Sequence, residues 1–122
     1  MFMLDKGAAT VTVKAEILAY TLGGLVIPAT AATVRSAIVG ISNQAIAAAE
    51  ALTQVPAIAV DSNDTWIANT TNNSNAAHNY MRCILTSSTV VNNTGVDDVN
   101  GVVQQVEPYG PVTDKKIVCR FV

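Results

Sequence analysis

The chain has 122 residues and is half apolar, yet only 13% of it is charged, against roughly 25% in ordinary soluble domains. A net charge of -2 with no basic cluster leaves it without the electrostatic footprint that draws phosphate backbones or anionic lipid, so neither nucleic acid nor a membrane is an expected partner. The opening Met1-Phe2-Met3-Leu4-Asp5-Lys6-Gly7 has no basic n-region and no apolar core of signal-peptide length, and "LGGLVIPA" and "AIAAAEAL" fall well short of the ~20 residues of a membrane helix.

These features predict a soluble protein made in a cytosol, with the chain length of one domain. With so little charge, the surface must be covered by neutral Thr, Ser and Asn, which crowd the interval from Asp61 to Asn100, or by a partner. A weakly charged, Ala- and Val-rich domain tends to self-associate or to dock on something larger.

In chain order, residues 1–9 read as an N-terminal arm with apolar Phe2, Met3 and Leu4, able to grip a neighbour or to fold over the end of the domain. "ATVTVKAEIL" alternates Val11, Val13, Ala15 and Ile17 against Thr10, Thr12, Lys14 and Glu16, the period-2 pattern of a half-buried strand and the clearest in the sequence. "TLGGLVIPAT" places a hairpin turn at Gly23-Gly24 and closes the next strand at Pro28. Over "AATVRSAIVGISNQAIAAAEAL" the alanines allow one helix across 31–52. Val34, Ile38, Val39 and Ile41 favour instead a strand over 33–41, with a turn at Ser42-Asn43 and a short helical turn over 44–50.

"VPAIAVDSNDTWIANT" gives a strand, a turn at Ser62-Asn63, and a strand carrying Trp66. A loop over 69–79 then leads to a strand over 80–86, with Met81, Cys83 and Leu85 on one face and Tyr80, Arg82, Ile84 and Thr86 on the other. "VVNNTG" turns at Asn92-Asn93. "GVVQQVEPY" and "KKIVCRFV" are the last strands, the second placing Ile117, Cys119 and Phe121 on one face. The sum is an all-β fold, a small antiparallel barrel or sandwich with an extended N-terminal arm, in which residues 10–122 form a single β domain.

Little of this looks like chemistry. Cys83 and Cys119 each share a face with apolar neighbours, which predicts buried reduced thiols, a disulfide or reactive thiol being the alternative. His78 sits in "TTNNSNAAHNY" among amides, small residues and Ser74, with no nucleophile or orienting acid nearby in sequence. The Asp97-Asp98 and Asp61/Asp64 pairs lie in turns and lack a complete calcium loop. No phosphate-binding glycine loop, nucleophile elbow or zinc motif is present. No catalytic, cofactor-binding or metal-ligating residue is assigned, and an enzyme is not expected.

The run "LVIPATAATVRSAIVGISNQAIAAAEALTQVP", followed by "NDTWIANTTNNSNAAHNYMRCILTSSTVVNNTG" and the closing "DKKIVCRFV", resembles small head-decoration, or cement, proteins of tailed bacteriophages over roughly residues 20–122. The resemblance implies a compact all-β domain on the outer surface of a virion, made in the host cytoplasm, that clamps adjacent major capsid protein subunits and could also self-associate on the lattice. It also makes the "HNYMRC" stretch scaffold. Candidate interface residues are Phe2, Met3, Leu4, Trp66, His78, Tyr80 and Tyr109. Two rivals stay open: a glycan-binding or adhesin-like β-domain using Trp66 and the Asn-rich loop, and a small hydrolase built on His78.

Overall fold

The computed structural model describes residues 2–7, 10, 12–47 and 53–122. The fold is all-β, with eleven strands and three single-turn 3-10 helices among the described residues. Contacts gather into two compact units, Met1–Ala29 with Ser36–Val60, and Thr30–Arg35 with Asp61–Val122. The β region expected over 10–122 is thus organised as two β units, and the arm belongs to the first.

In the first unit, strands β1 (Phe2–Asp5), β2 (Ile17–Tyr20), β3 (Val26–Pro28), β4 (Ile38–Ser42) and β5 (Gln54–Ala59) form one sheet in the order β1-β5-β4-β2-β3. All of its strand pairs are antiparallel, and a single parallel bridge between Lys6 and Val26 brings the end of the β1 segment against β3, nearly closing a five-stranded barrel. The arm is therefore extended, as expected, but hydrogen-bonded into the sheet, with Phe2 opposite Ala57 and Asp5 opposite Gln54. Inside lie Leu4, Leu18, Val26, Ile46, Val55 and Ala57, with Val39 packed against them. Gly40 faces the same interior: a Cβ there would stand 3.2 Å from the Ala57 Cβ and 3.1 Å from the Ile58 carbonyl.

The segment with the clearest alternation is not a strand along its length. Thr12 exchanges backbone hydrogen bonds with Ile46, after which the chain turns at Lys14 and Ala15 (φ 65°) and enters β2 only at Ile17. The cause is local competition for the backbone. The Val13 N–H donates to the Glu16 carboxylate at 2.8 Å, and buried Ser42 accepts from the Glu16 N–H through Oγ while donating to the Val13 carbonyl. These groups do what a neighbouring strand would have done, and they draw Glu16 inside. Val11 lies outside the described residues.

The ambiguous stretch after Ala31 resolves toward strand. A 3-10 turn at Arg35–Ala37 leads into β4, and the chain leaves the strand after Ser42. The helical turn expected over 44–50 is not formed over 44–47, where Ile46 bridges to Thr12 instead, and its remainder, 48–50, lies outside the described residues.

The second unit holds β6 (Trp66–Thr70), β7 (Arg82–Cys83), β8 (Leu85–Ser87), β9 (Val90–Val91), β10 (Val103–Pro108) and β11 (Lys116–Phe121), in the sheet order β7-β10-β11-β6-β9-β8. Only β6 and β9 run parallel. The expected strand over 80–86 is split: β7 pairs with β10 and β8 with β9. These are the two outer strands of the sheet, yet only Ile84 separates them in sequence. Two Cα–Cα steps span at most roughly 7 Å, so the sheet curls until its edges meet at that residue. The alternation survives the split, with Cys83 and Leu85 buried, and β11 buries Ile117, Cys119 and Phe121 as its pattern requires.

Candidate functional site

The first unit is unusual for what its surface lacks. Of its charged residues, Lys6 and Glu16 are buried, so Asp5 and Lys14 alone are exposed among the described residues. Alternation along β1 turns Leu4 into the barrel and leaves Met3, 52% exposed, on the outside beside Pro56. Two residues further along β5, Ile58 is 51% exposed and stands opposite Ile41 of β4. Met3, Pro56, Ile58 and Ile41 thus make an apolar row across three strands. Its cause is the period-2 geometry of strands whose outward positions are themselves apolar.

The β2–β3 hairpin presents a second apolar feature. The Thr21 N–H donates to the Leu25 carbonyl at 2.9 Å and Gly24 adopts φ 78°, which fixes the tip. Tyr20, Leu25 and Ile27 are exposed around it, and Leu22 at the apex is fully exposed. Sequence reading saw the turn but not this surface. The signal was present in "YTLGGLVI", which has no charged residue on either side of a turn that must face outward.

The structure treats the expected interface residues unevenly. Phe2, Met3, Tyr80 and Tyr109 are exposed. Leu4 is 3% exposed within the barrel core, because its position in β1 points inward, and is closed to a partner. Trp66 stacks on buried Phe121 with ring centroids 5.1 Å apart, and the Arg35 guanidinium lies 5.4 Å from the same Phe121 ring. One indole face is thus committed to the core edge, which does not favour a sugar-stacking shelf.

His78 closes a 3-10 turn capped by Asn75, whose Oδ1 accepts from the Ala77 N–H at 2.9 Å. Its ring packs on Gly95, where a Cβ would fall 2.7 Å from Nε2, and Nδ1 is buried without a hydrogen-bond partner. Among the described residues no carboxylate, hydroxyl or thiol hydrogen-bonds the imidazole.

The Asn-rich loop around it is fastened down. Buried Asn93 accepts the Asn72 N–H at 2.9 Å and donates to the Asn72 and Asn73 carbonyls. Gln105, fully buried, donates to the Asn75 carbonyl and to Asn79 Oδ1. Tyr80 leaves the loop at φ 68°, its N–H held by the Gln105 carbonyl.

Both cysteines are buried and free. Burial first, then the charges of Asp97 and Asp98, push the Cys83 thiol up to about 11. Burial, then Cys83, raises Cys119 as well. Neither thiol is a thiolate near neutrality, as a nucleophile would require. Asp97 is held below the usual carboxylate range by the Arg82 N–H and then by its side chain, which also makes an ion pair at 3.3 Å.

Comparison of the chain with protein-family models, curated proteins and solved structures gives no match.

The site with most to offer is therefore a surface. A near-neutral barrel face with an apolar row and an apolar hairpin tip suits protein contact, since polar groups there would have to be desolvated on docking and apolar ones gain from it.

Proposed function

We propose that this chain is a non-enzymatic structural protein of a bacteriophage virion, which decorates the outer capsid surface and stabilises it by binding adjacent major capsid protein subunits. The observation that carries the reading is the first unit's exterior, where, among the described residues, only Asp5 and Lys14 are exposed charges beside Met3, Ile58, Leu22, Leu25 and Ile27. The resemblance of residues 20–122 to phage cement proteins gives that surface a partner. Many copies of a modest apolar contact, repeated around a lattice, hold firmly through multivalency even where each contact alone is weak. A role of this kind needs no catalytic constellation.

Sedimentation of the purified protein with and without capsid shells, followed by heating of the shells, tests the proposal. The expected result is co-sedimentation at a fixed ratio to the capsid subunit and a higher rupture temperature. Protein remaining in the supernatant, with shells rupturing unchanged, would refute it.

A further inference from the structure

The second unit contains an open cleft of about 280 Å³ lined by Ala31, Ala32, Thr33, Val34, Ile84, Asp98 and Asn100. That volume lies below the usual range for cofactors and drug-sized ligands and suits one long side chain. The lining divides by chemistry: Ala31, Ala32, Val34 and Ile84 are apolar, and Asp98 supplies the only formal charge.

Asp98 is rigidly placed. Its N–H donates to the Arg82 carbonyl at 3.0 Å, its carbonyl accepts from the Gly101 N–H at 2.9 Å, and Oδ1 accepts from the Asn100 N–H at 2.8 Å. The ion pair of the neighbouring turn goes to Asp97, which takes Arg82. Among the described residues Asp98 makes none. A fixed carboxylate without a cation thus stands in a cleft with apolar walls from Ala31, Ala32, Val34 and Ile84, the neutral polar Thr33 and Asn100 completing the lining.

We propose that this cleft receives a lysine or arginine side chain presented by a protein partner, the aliphatic stem lying along Ala31, Ala32, Val34 and Ile84 and the cationic head meeting Asp98. Long basic side chains bury their methylenes against apolar surface while keeping the head on a polar group, and a charge-assisted hydrogen bond is stronger than a neutral one. An uncharged alkyl side chain is selected against, because it would cover Asp98 and leave a desolvated carboxylate unpaired. A lone carboxylate offers too few oxygens to hold calcium, and no aromatic residue lines the cleft to stack a sugar. The preference is a property of the second unit and is independent of which assembly supplies the side chain, and so of the capsid reading.

Amide NMR on the full chain tests this with three probes: the Nα-acetyl methylamides of lysine, arginine and norleucine. The lysine or arginine probe is expected to shift the Thr33, Val34 and Asn100 amides saturably, with the stronger of the two naming the head group. Norleucine should bind roughly tenfold more weakly or worse. Asp98→Asn keeps the acceptor for the Asn100 N–H, so the turn should stand while cationic binding falls by a similar factor. Ala32→Leu, at an exposed position, should fill the cleft and abolish the shifts. Equal response to norleucine, an unchanged response in either variant, or no saturable shift with any probe would each overturn the assignment.

Discussion

Replacing Asn93 by Ala tests whether the Asn-rich loop is scaffold. The side chain is 2% exposed and makes three hydrogen bonds to the 72–73 backbone, at 2.9, 3.1 and 3.3 Å. At a net ~0.5–1.5 kcal/mol each, their loss should cost about 2–4 kcal/mol. For a chain of this size that lowers Tm by roughly 10–15 °C. Urea unfolding followed by Trp66 fluorescence gives the number, and the midpoint should fall with the slope unchanged. Asn93→Asp sharpens the test, since it keeps the acceptor for the Asn72 N–H but turns the donor into an anion facing two carbonyls. It should be the less stable of the two at neutral pH. Because the buried anion is disfavoured, its folded-state pKa is raised, so its stability should be fully present at low pH and be lost as pH rises through that pKa. An Asn93→Ala protein within about 0.5 kcal/mol of the parent would mean that the loop is held by something else.

Other outcomes follow from single sites. Gly95→Ala meets both a φ of 88° and a contact 2.7 Å from His78 Nε2, and should lose about 2–3 kcal/mol. Adding His78→Ala should return the steric part of that loss, which a double-mutant cycle measures. The Cys83 thiol is raised from 9.0 to about 11, so the folded state holds its proton more tightly than the unfolded chain. Its contribution to stability is whole below pH 9 and declines as pH rises toward 11, and alkaline unfolding of Cys83→Ser should lack that component. Leu22→Asp, at a fully exposed apex, should leave Tm unchanged but weaken co-sedimentation with shells by about tenfold or more, the worth of burying one leucine. Unchanged pelleting would remove the hairpin from the docking surface.

Legibility in the sequence followed the physics of each segment. Where one sheet face is buried and the other wet, alternation was a good guide: "KKIVCRFV" buried Ile117, Cys119 and Phe121, "YMRCILTS" buried Cys83 and Leu85 but left Met81 half-buried, and the Gly23-Gly24 hairpin formed where turn chemistry required. Alternation failed in "ATVTVKAEIL", because nothing in the pattern reveals that Ser42, 26 residues beyond Glu16, will take over its backbone hydrogen bonds. The split at Ile84 was hidden for a related reason, as a strand that changes neighbours keeps its in-and-out rhythm. Leu4 looked like part of a free arm because an edge strand and an arm read alike until a partner such as Val55 is known. The cleft at Asp98 could not be seen at all, since most of its apolar wall comes from Ala31, Ala32 and Val34, more than sixty residues away in the chain.

The joint at Ile84 has a mechanical side. In an ordinary closed sheet the line between first and last strands is held by hydrogen bonds alone and is where the sheet parts under lateral load. Here that line is crossed by the polypeptide itself, from Arg82–Cys83 on one edge to Leu85–Ser87 on the other. Force across it is borne by peptide bonds, so the sheet has to open at a hydrogen-bonded pairing instead, and the shortest are β7 with β10, β8 with β9 and β6 with β9, two residue pairs each. Yielding should therefore begin in those short pairings, and a circular permutant cut at Ile84 should rupture at lower force than the parent chain.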